Sequence, residues 1–370
     1  MGLYYRRKIY DTDGTDAAFV RAVSKNVIYH QKRCPEYAAL LGRQGFCASE
    51  LKNIDDLYKL PPIPTLFLKN RTLYSVPEKR LLLRSATSGT GGKASHVGLD
   101  LPTVLRGAGM VLGGFMAHRL ISLRRTGYIV LGYEPAPRNN MGAVKSAYAA
   151  TLAAPAYRRV YALRDAGTSY ELNMAGLKSA LIRYAKVGVP VRFIGFPAYF
   201  LFLLKELEAD GLRFRLHPKS RILLGGGWKQ FFSEQVDKQS LYALSEKLIG
   251  LGGGRFKEFF GVVEHPVIYL DCPNHHFHVP AYARIIIRDT DMRPVALGVP
   301  GILNLITPIM TAMPHVSILT DDLAVLRPGS ECGCGIKSPY FEILGRAGVA
   351  DIKTCAAGAA ELLSVTEAKK

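Results

Sequence analysis

No apolar run in this 370-residue chain reaches the roughly 18 residues that a bilayer-crossing helix needs. The best candidate, Phe193 to Leu204, spans 12 residues and contains Pro197. The opening Met-Gly-Leu-Tyr-Tyr-Arg-Arg-Lys lacks the apolar core of a secretory signal. Gly2 has neither Ser nor Thr at position 6, which speaks against myristoylation. The expectation is a cytoplasmic protein with no membrane span. Acidic residues are scarce, 30 against 48 Lys and Arg, for a net charge of +18. That balance favours polyanionic substrates or partners such as a nucleotide, coenzyme A or an acidic carrier protein. The basic residues are spread along the chain without a nucleic-acid-binding motif, so no nucleic-acid partner is expected. No internal repeat or low-complexity segment is present. The six cysteines are too few for a disulfide scaffold, and in an intracellular protein they stay unpaired.

Apolar content of 48% and charged content of 21% are those of a globular protein able to bury a sizeable core. Residues 1–60 read as mostly helical, with apolar spacing of three to four over Asp16 to Cys34 and Ser49 to Leu60. Pro61-Pro-Ile-Pro64 ends that pattern. The short apolar runs 81–83, 128–132, 191–195 and 221–224 read as buried strands. Helical stretches lie between them at 102–122, 171–187, 197–209 and 234–249. Alternation of this kind predicts an α/β fold with a largely parallel sheet flanked by helices. Beyond residue 266 the texture changes. Val279 to Asp289, Gly301 to Thr307 and Leu323 to Arg327 read as strands of a smaller β-rich subdomain.

The densest chemical signal is Leu83-Arg-Ser-Ala-Thr-Ser-Gly-Thr-Gly-Gly-Lys93. Glycines without side chains, hydroxyls at Thr87, Ser88 and Thr90, and the Lys93 ammonium suit a loop that wraps phosphate. It is not a Walker A loop, which would need glycine at Thr87 and a hydroxyl at Ala94. The cysteines carry a second signal. Cys332-Gly-Cys334-Gly is a tight turn presenting two thiols, and Cys272-Pro-Asn-His-His-Phe-His278 adds a third thiol and several imidazoles. Three thiolates and one imidazole make a closed, structural zinc site.

The loop Thr87-Ser-Gly-Thr-Gly-Gly-Lys93 resembles the phosphate loop of adenylate-forming enzymes, which make acyl-AMP from ATP and a carboxylic acid. Phe260-Gly-Val-Val-Glu264, Leu319-Thr-Asp-Asp322 and Leu344-Gly-Arg346 resemble further motifs of that superfamily, in the same order. Gly225-Gly-Gly-Trp-Lys229, Val267 to Cys272, His276-Phe-His-Val-Pro280, Ser317 to Asp322 and Cys332 to Gly335 are similar to the acyl-protein synthetases of bacterial luminescence, the LuxE family. The resemblance runs from about Pro61 to Lys370.

The resemblance implies the adenylate-forming fold: one domain over 1–343, with a helical region at 1–80, a zinc-containing β-rich part at 266–343, and a tail at 344–370. The family's usual small C-terminal domain is expected to be missing, because only 24 residues follow Arg346. That leaves its catalytic lysine unassigned, with Lys93, Lys229 and Lys353 as substitutes. The implied cofactors are ATP and Mg²⁺. The implied activity is activation of a fatty acid as acyl-AMP, then passage to an enzyme cysteine and on to a partner such as an acyl reductase. Thr87, Ser88, Gly89, Thr90, Gly91, Gly92 and Lys93 would hold the outer phosphates. Glu264 would hold Mg²⁺. Gly226, Gly227, Phe260 and Gly261 would border the adenine. Asp322 would accept from the ribose hydroxyls, and Arg346 would donate to ribose or phosphate. Cys355, in the tail, would carry the acyl group. Phe193 to Leu204 and Met110 to Phe115 are candidates for an acyl tunnel or plain core. Val263 and Asp321 depart from the motifs, removing a hydroxyl and adding a carboxylate. Related phenylacetate-CoA ligases point to His278 as the fourth zinc ligand, and spacing alone leaves His275 and His276 open. The rival readings are a ligase delivering to coenzyme A, a carrier protein or an amine, and a nucleotide-binding regulator without catalysis.

Overall fold

The computed structural model describes residues 2–87, 94–228, 231 and 234–347. The chain opens on α1 (Asp16–Gln31) and α2 (Pro35–Arg43), the latter with proline at its first turn, where no backbone N–H is needed. Then come β1 (Ile63–Pro64), α3 (Thr65–Leu68), β2 (Leu81–Ala86), β3 (His96–Asp100) and α4 (Leu101–Ala117). An alternating stretch follows: β4 (Thr126–Tyr133), α5 (Gly142–Ala150), β5 (Ala156–Asp165), β6 (Tyr170–Leu172), α6 (Met174–Val187), β7 (Val191–Gly195), α7 (Pro197–Ala209), β8 (Arg221–Gly225) and α8 (Lys238–Ile249). Strands dominate from there on: β9 (Phe256–Val262), β10 (His265–Leu270), β11 (Phe277–His278), β12 (Arg284–Arg288), β13 (Gly301–Ile306), β14 (Ser317–Arg327) and β15 (Tyr340–Arg346).

The chain divides into two compact units, one of residues 1–117, 261–269 and 276–370, the other of 118–260 and 270–275. Strands β4 to β8 and most of β9 belong to the second unit, in a seven-stranded sheet of order β10-β9-β8-β7-β4-β5-β6. Strands β5, β4, β7, β8 and β9 run parallel, and β6 is antiparallel to β5. Numbered along the chain, the parallel strands stand in the order 2-1-3-4-5, the doubly wound arrangement whose ligand crevice opens at the strands' carboxyl ends. Phe193 of β7 and Phe200, Leu203 and Leu204 of α7 are fully buried at the centre of this unit's core. The 193–204 run is therefore core packing, and each such side chain contributes about 1.5–3 kcal/mol by leaving water. The first unit carries a six-stranded sheet, β11-β15-β14-β13-β12, with β1 pairing β14 in parallel and the other pairs antiparallel. This is the expected change to β-rich texture.

Three expectations need correction. Strand 81–83 is not buried: Leu82 is 58% exposed, because β2 pairs only with β3 in a two-stranded ribbon. Residues 49–60 form no continuous helix. Asn53 and Asp56 cap each other and stop the chain in two short 3₁₀ turns, Ala48–Glu50 and Ile54–Lys59. The strand read from Leu323 begins six residues earlier, at Ser317, since β1 and β13 pair with that earlier part.

Candidate active site and thiol cluster

Glu264 lies in the two-residue turn between β9 and β10 and is only 3% exposed. Burial raises its pKa, against the Ser95 hydroxyl and the Lys69 ammonium. The turn is held from behind. The fully buried His315 places Nδ1 2.9 Å from the Glu264 carbonyl oxygen. Ser95 is also fully buried, and its backbone exchanges hydrogen bonds with Thr87. The Thr87 N–H donates to the Ser95 carbonyl at 3.1 Å, and the Ser95 N–H donates to Thr87 Oγ1 at 2.9 Å. These two bonds close the base of the 88–93 loop, whose own residues, Ser88, Gly89, Thr90, Gly91, Gly92 and Lys93, lie outside the described ones.

Asp322 sits in β14 directly opposite Arg346 of β15. A bulge between Leu323 and Ala324 lies beside this pair, a device that re-aims neighbouring side chains. Arg346 Nε lies 3.7 Å from Asp322 Oδ1, and Arg346 Nη1 lies 4.0 Å from Asp321 Oδ2. Asp322 is pushed up to about 6, first by burial and then by the Asp321 charge; Arg346 and the Thr320 hydroxyl act against the shift, and Glu264 adds to it. Three carboxylates thus feel one another, two of them buried, with the largely exposed Arg346 guanidinium acting on Asp322 and the Lys69 ammonium on Glu264. Such a site favours a cation, or a ligand that donates hydrogen bonds.

In the other unit, Gly226 and Gly227 follow the carboxyl end of β8 with φ of +79° and +66°, a backbone course that glycine adopts without strain. Gly225 pairs with Phe259 of β9, so the glycine turn and the half-buried Phe260 share the crevice end of the parallel sheet. Gly261 follows, exposed. Lys229 and Cys355, like Lys353, fall outside the described residues.

The thiol cluster is compact. One ligand atom from each of Cys272, His278, Cys332 and Cys334 lies within 4.8 Å of all the others. His278 Nδ1 is 2.7 Å from the Ser338 carbonyl, which leaves Nε2 toward Cys334 Sγ at 3.2 Å. A ring oriented by a backbone carbonyl is the usual support of a ligating histidine. The N–H groups of Asn274 and Ile336 donate to the sulfurs of Cys272 and Cys334 at 3.3 and 3.4 Å. Gly333 and Gly335, at φ of +72° and +87°, fold the turn around the thiols. The donor set therefore fits a tetrahedral zinc ion. His275 points elsewhere, with Nδ1 2.6 Å from Asp271 Oδ2. His276 stacks on Tyr340 and places Nδ1 3.2 Å from Cys332 Sγ, beside the four-residue set.

Sequence spacing gave no signal for Ser95, Lys69 or His315, because they act on Glu264 across long chain separations. The Thr87–Lys93 motif ran up to Ser95 without including it.

Comparison with known proteins shows the family and the fold. The sequence model of the acyl-protein synthetase family LuxE matches residues 9–364. The long-chain-fatty-acid–luciferin-component ligase of Aliivibrio fischeri is 23% identical over 358 residues, covering 93% of this chain and 88% of that protein. The enzyme of the same description from Vibrio harveyi is 24% identical over 340 residues, covering 89% and 83%. Among solved structures, 2-hydroxyisobutyryl-CoA ligase, in an open conformation with its acyl-AMP and coenzyme A, superposes with a TM-score of 0.64 at 16% identity, covering 88% of this chain and 74% of its own. Its thioesterification state gives 0.65 at 17% identity, with 93% and 70% covered. At that identity the likeness is one of fold.

Proposed function

Because the chain belongs to the acyl-protein synthetase family LuxE and is an adenylate-forming ligase, we propose that it activates a long-chain fatty acid with ATP and passes the acyl group through its own cysteine to a partner protein. A fatty acyl reductase or an acidic carrier protein fits the partner's chemistry. The observation that carries the site assignment is the pair of buried carboxylates Glu264 and Asp322, with the half-buried Asp321 beside them and Arg346 in register with Asp322.

In the first step a carboxylate oxygen of the fatty acid attacks the α-phosphorus of ATP. Pyrophosphate leaves and acyl-AMP forms. Two anions must meet, so positive charge has to be supplied. Lys93 and the N–H groups of the 88–93 loop hold the outer phosphates. Asp322 accepts from the ribose hydroxyls, while Arg346 keeps Asp322 ionised and reaches the sugar or phosphate. Phe260 and the Gly226–Gly227 turn border the base. Glu264 would hold Mg²⁺, which would neutralise phosphate charge. In the second step the Cys355 thiolate attacks the acyl carbonyl, AMP leaves, and a thioester forms that keeps the acyl group activated. Lys93, Lys229 and Lys353 are the candidates for the lysine that contacts the reacting carboxylate and phosphate. Cys272, His278, Cys332 and Cys334 would hold a structural zinc ion that fixes the β11 and β15 region.

The test is carboxylate-dependent exchange of labelled pyrophosphate into ATP across a panel of acids. Long-chain fatty acids should support exchange. No exchange with any acid in the panel refutes the reading. Exchange without acylation of the protein makes direct delivery to coenzyme A or another acceptor the better one.

A further inference from the structure

The amino ends of the parallel strands face away from the crevice end and have a different chemistry. Leu123, in the loop before β4, is 93% exposed. Ile121 and Leu152 are 44% and 64% exposed. The Ser122 N–H donates to the Ala153 carbonyl at 3.0 Å, so the loops carrying these three side chains are joined at one edge. Arg119, Arg124 and Arg125 stand exposed around Leu123. The basic character continues along the sheet. Tyr128 of β4 is in register with Arg159 of β5 and Arg192 of β7, and Arg192 with Arg221 of β8. Arg192 is buried against the Tyr128 hydroxyl, with no carboxylate beside it among the described residues, and its charge opposes that of Arg221. Among the described residues none of these arginines takes part in an ion pair. The whole unit holds 22 basic against 11 acidic residues.

We propose that this face docks on an anionic lipid bilayer, with Leu123 among the head groups and the surrounding arginines on lipid phosphates. A protein partner would need a pocket matched to a single protruding leucine. A fluid interface accepts it without one, and each nearby arginine adds attraction to an anionic surface. Docking there would also place the enzyme where long-chain acids dissolve. That last point rests on the proposed function; the docking itself does not.

The experiment is co-sedimentation of the full chain, without ATP, with vesicles of phosphatidylcholine alone or of phosphatidylcholine with abundant phosphatidylglycerol. The expected result is binding to the anionic vesicles only, lost when salt is raised roughly tenfold. Arg124→Glu with Arg125→Glu should weaken binding by about tenfold or more. Leu123→Ser should weaken it several-fold with the salt dependence kept, and Leu152→Ser serves as a second apolar variant. All should melt as the parent does and keep pyrophosphate exchange with a water-soluble acid. Absence of binding at low salt, equal binding to both vesicles, or variants that bind like the parent overturns the proposal. Retention on polyglutamate without vesicle binding overturns it in favour of an acidic protein partner. Failure of exchange with every acid would sink the activity and leave the vesicle result standing.

Discussion

Asp322 holds its proton more tightly folded than unfolded, and this has a sign opposite to that of most carboxylates. Its folded pKa of about 6 lies above the ordinary value of 3.8. Between those values the folded chain binds a proton that the unfolded chain has released, so stability falls as pH rises through that window and stays lower above it. The loss is of the order of 1–3 kcal/mol. Asp322→Asn should therefore raise the melting temperature of the free protein by about 2 °C at pH 7.5, measured by calorimetry, while weakening ATP binding by about tenfold or more. Unchanged pH dependence of melting in the variant would contradict the assignment. Glu264→Gln should lower the exchange rate by about a hundredfold with a smaller effect on ATP affinity. Cys355→Ser should keep exchange but lose a hydroxylamine-labile acyl label on the C-terminal peptide. Equal labelling would remove Cys355 from the pathway. Asp322, Arg346 and Glu264 could be singled out as candidates because each lies in a short local motif. His315 and Ser95 could not, since no local pattern marks a contact made across the fold.

At the scale of elements, β7 and α7 were legible because a buried parallel strand and its crossover helix are apolar almost throughout, and α7 starts on Pro197. The segment Leu81 to Leu83 misled because three leucines look the same in a buried strand as in an exposed ribbon. Only the partner strand decides, and pairing is not local. The strand β5, with Arg158, Arg159 and Arg164, reads as polar although it lies inside the sheet order. The thiol cluster was legible as a donor set, and geometry chose among its histidines. Elemental analysis of freshly purified protein should give one zinc per chain. Chelation, or Cys332→Ser with Cys334→Ser, should lower the melting temperature by several degrees, since binding energy at a structural site is folding energy. Protein without metal, or metal retained by the double variant, would contradict the assignment.

Over the whole molecule, the fold class could be read from alternation and texture, while the division into two units could not, because contact density leaves no mark in local composition. A net charge of +18 makes self-repulsion a property of the entire chain. Raising salt from low to physiological strength should increase the melting temperature by about 1–3 °C, an effect of screening that a scan at several ionic strengths checks. A flat response would mean that the basic surface is already neutralised by bound anions. Strands β14 and β15 join these scales. One end of the hairpin turns through Cys332 and Cys334, and the other holds Asp322 against Arg346. A clasp at one end of a ladder keeps the rungs aligned at the other, because a slip of one residue turns every side chain to the opposite face. With zinc in the clasp, acyl activation acquires a nutritional requirement: a cell short of the metal would lose the reaction although no group that touches ATP had changed, and faster amide exchange along β14 after chelation would reveal it.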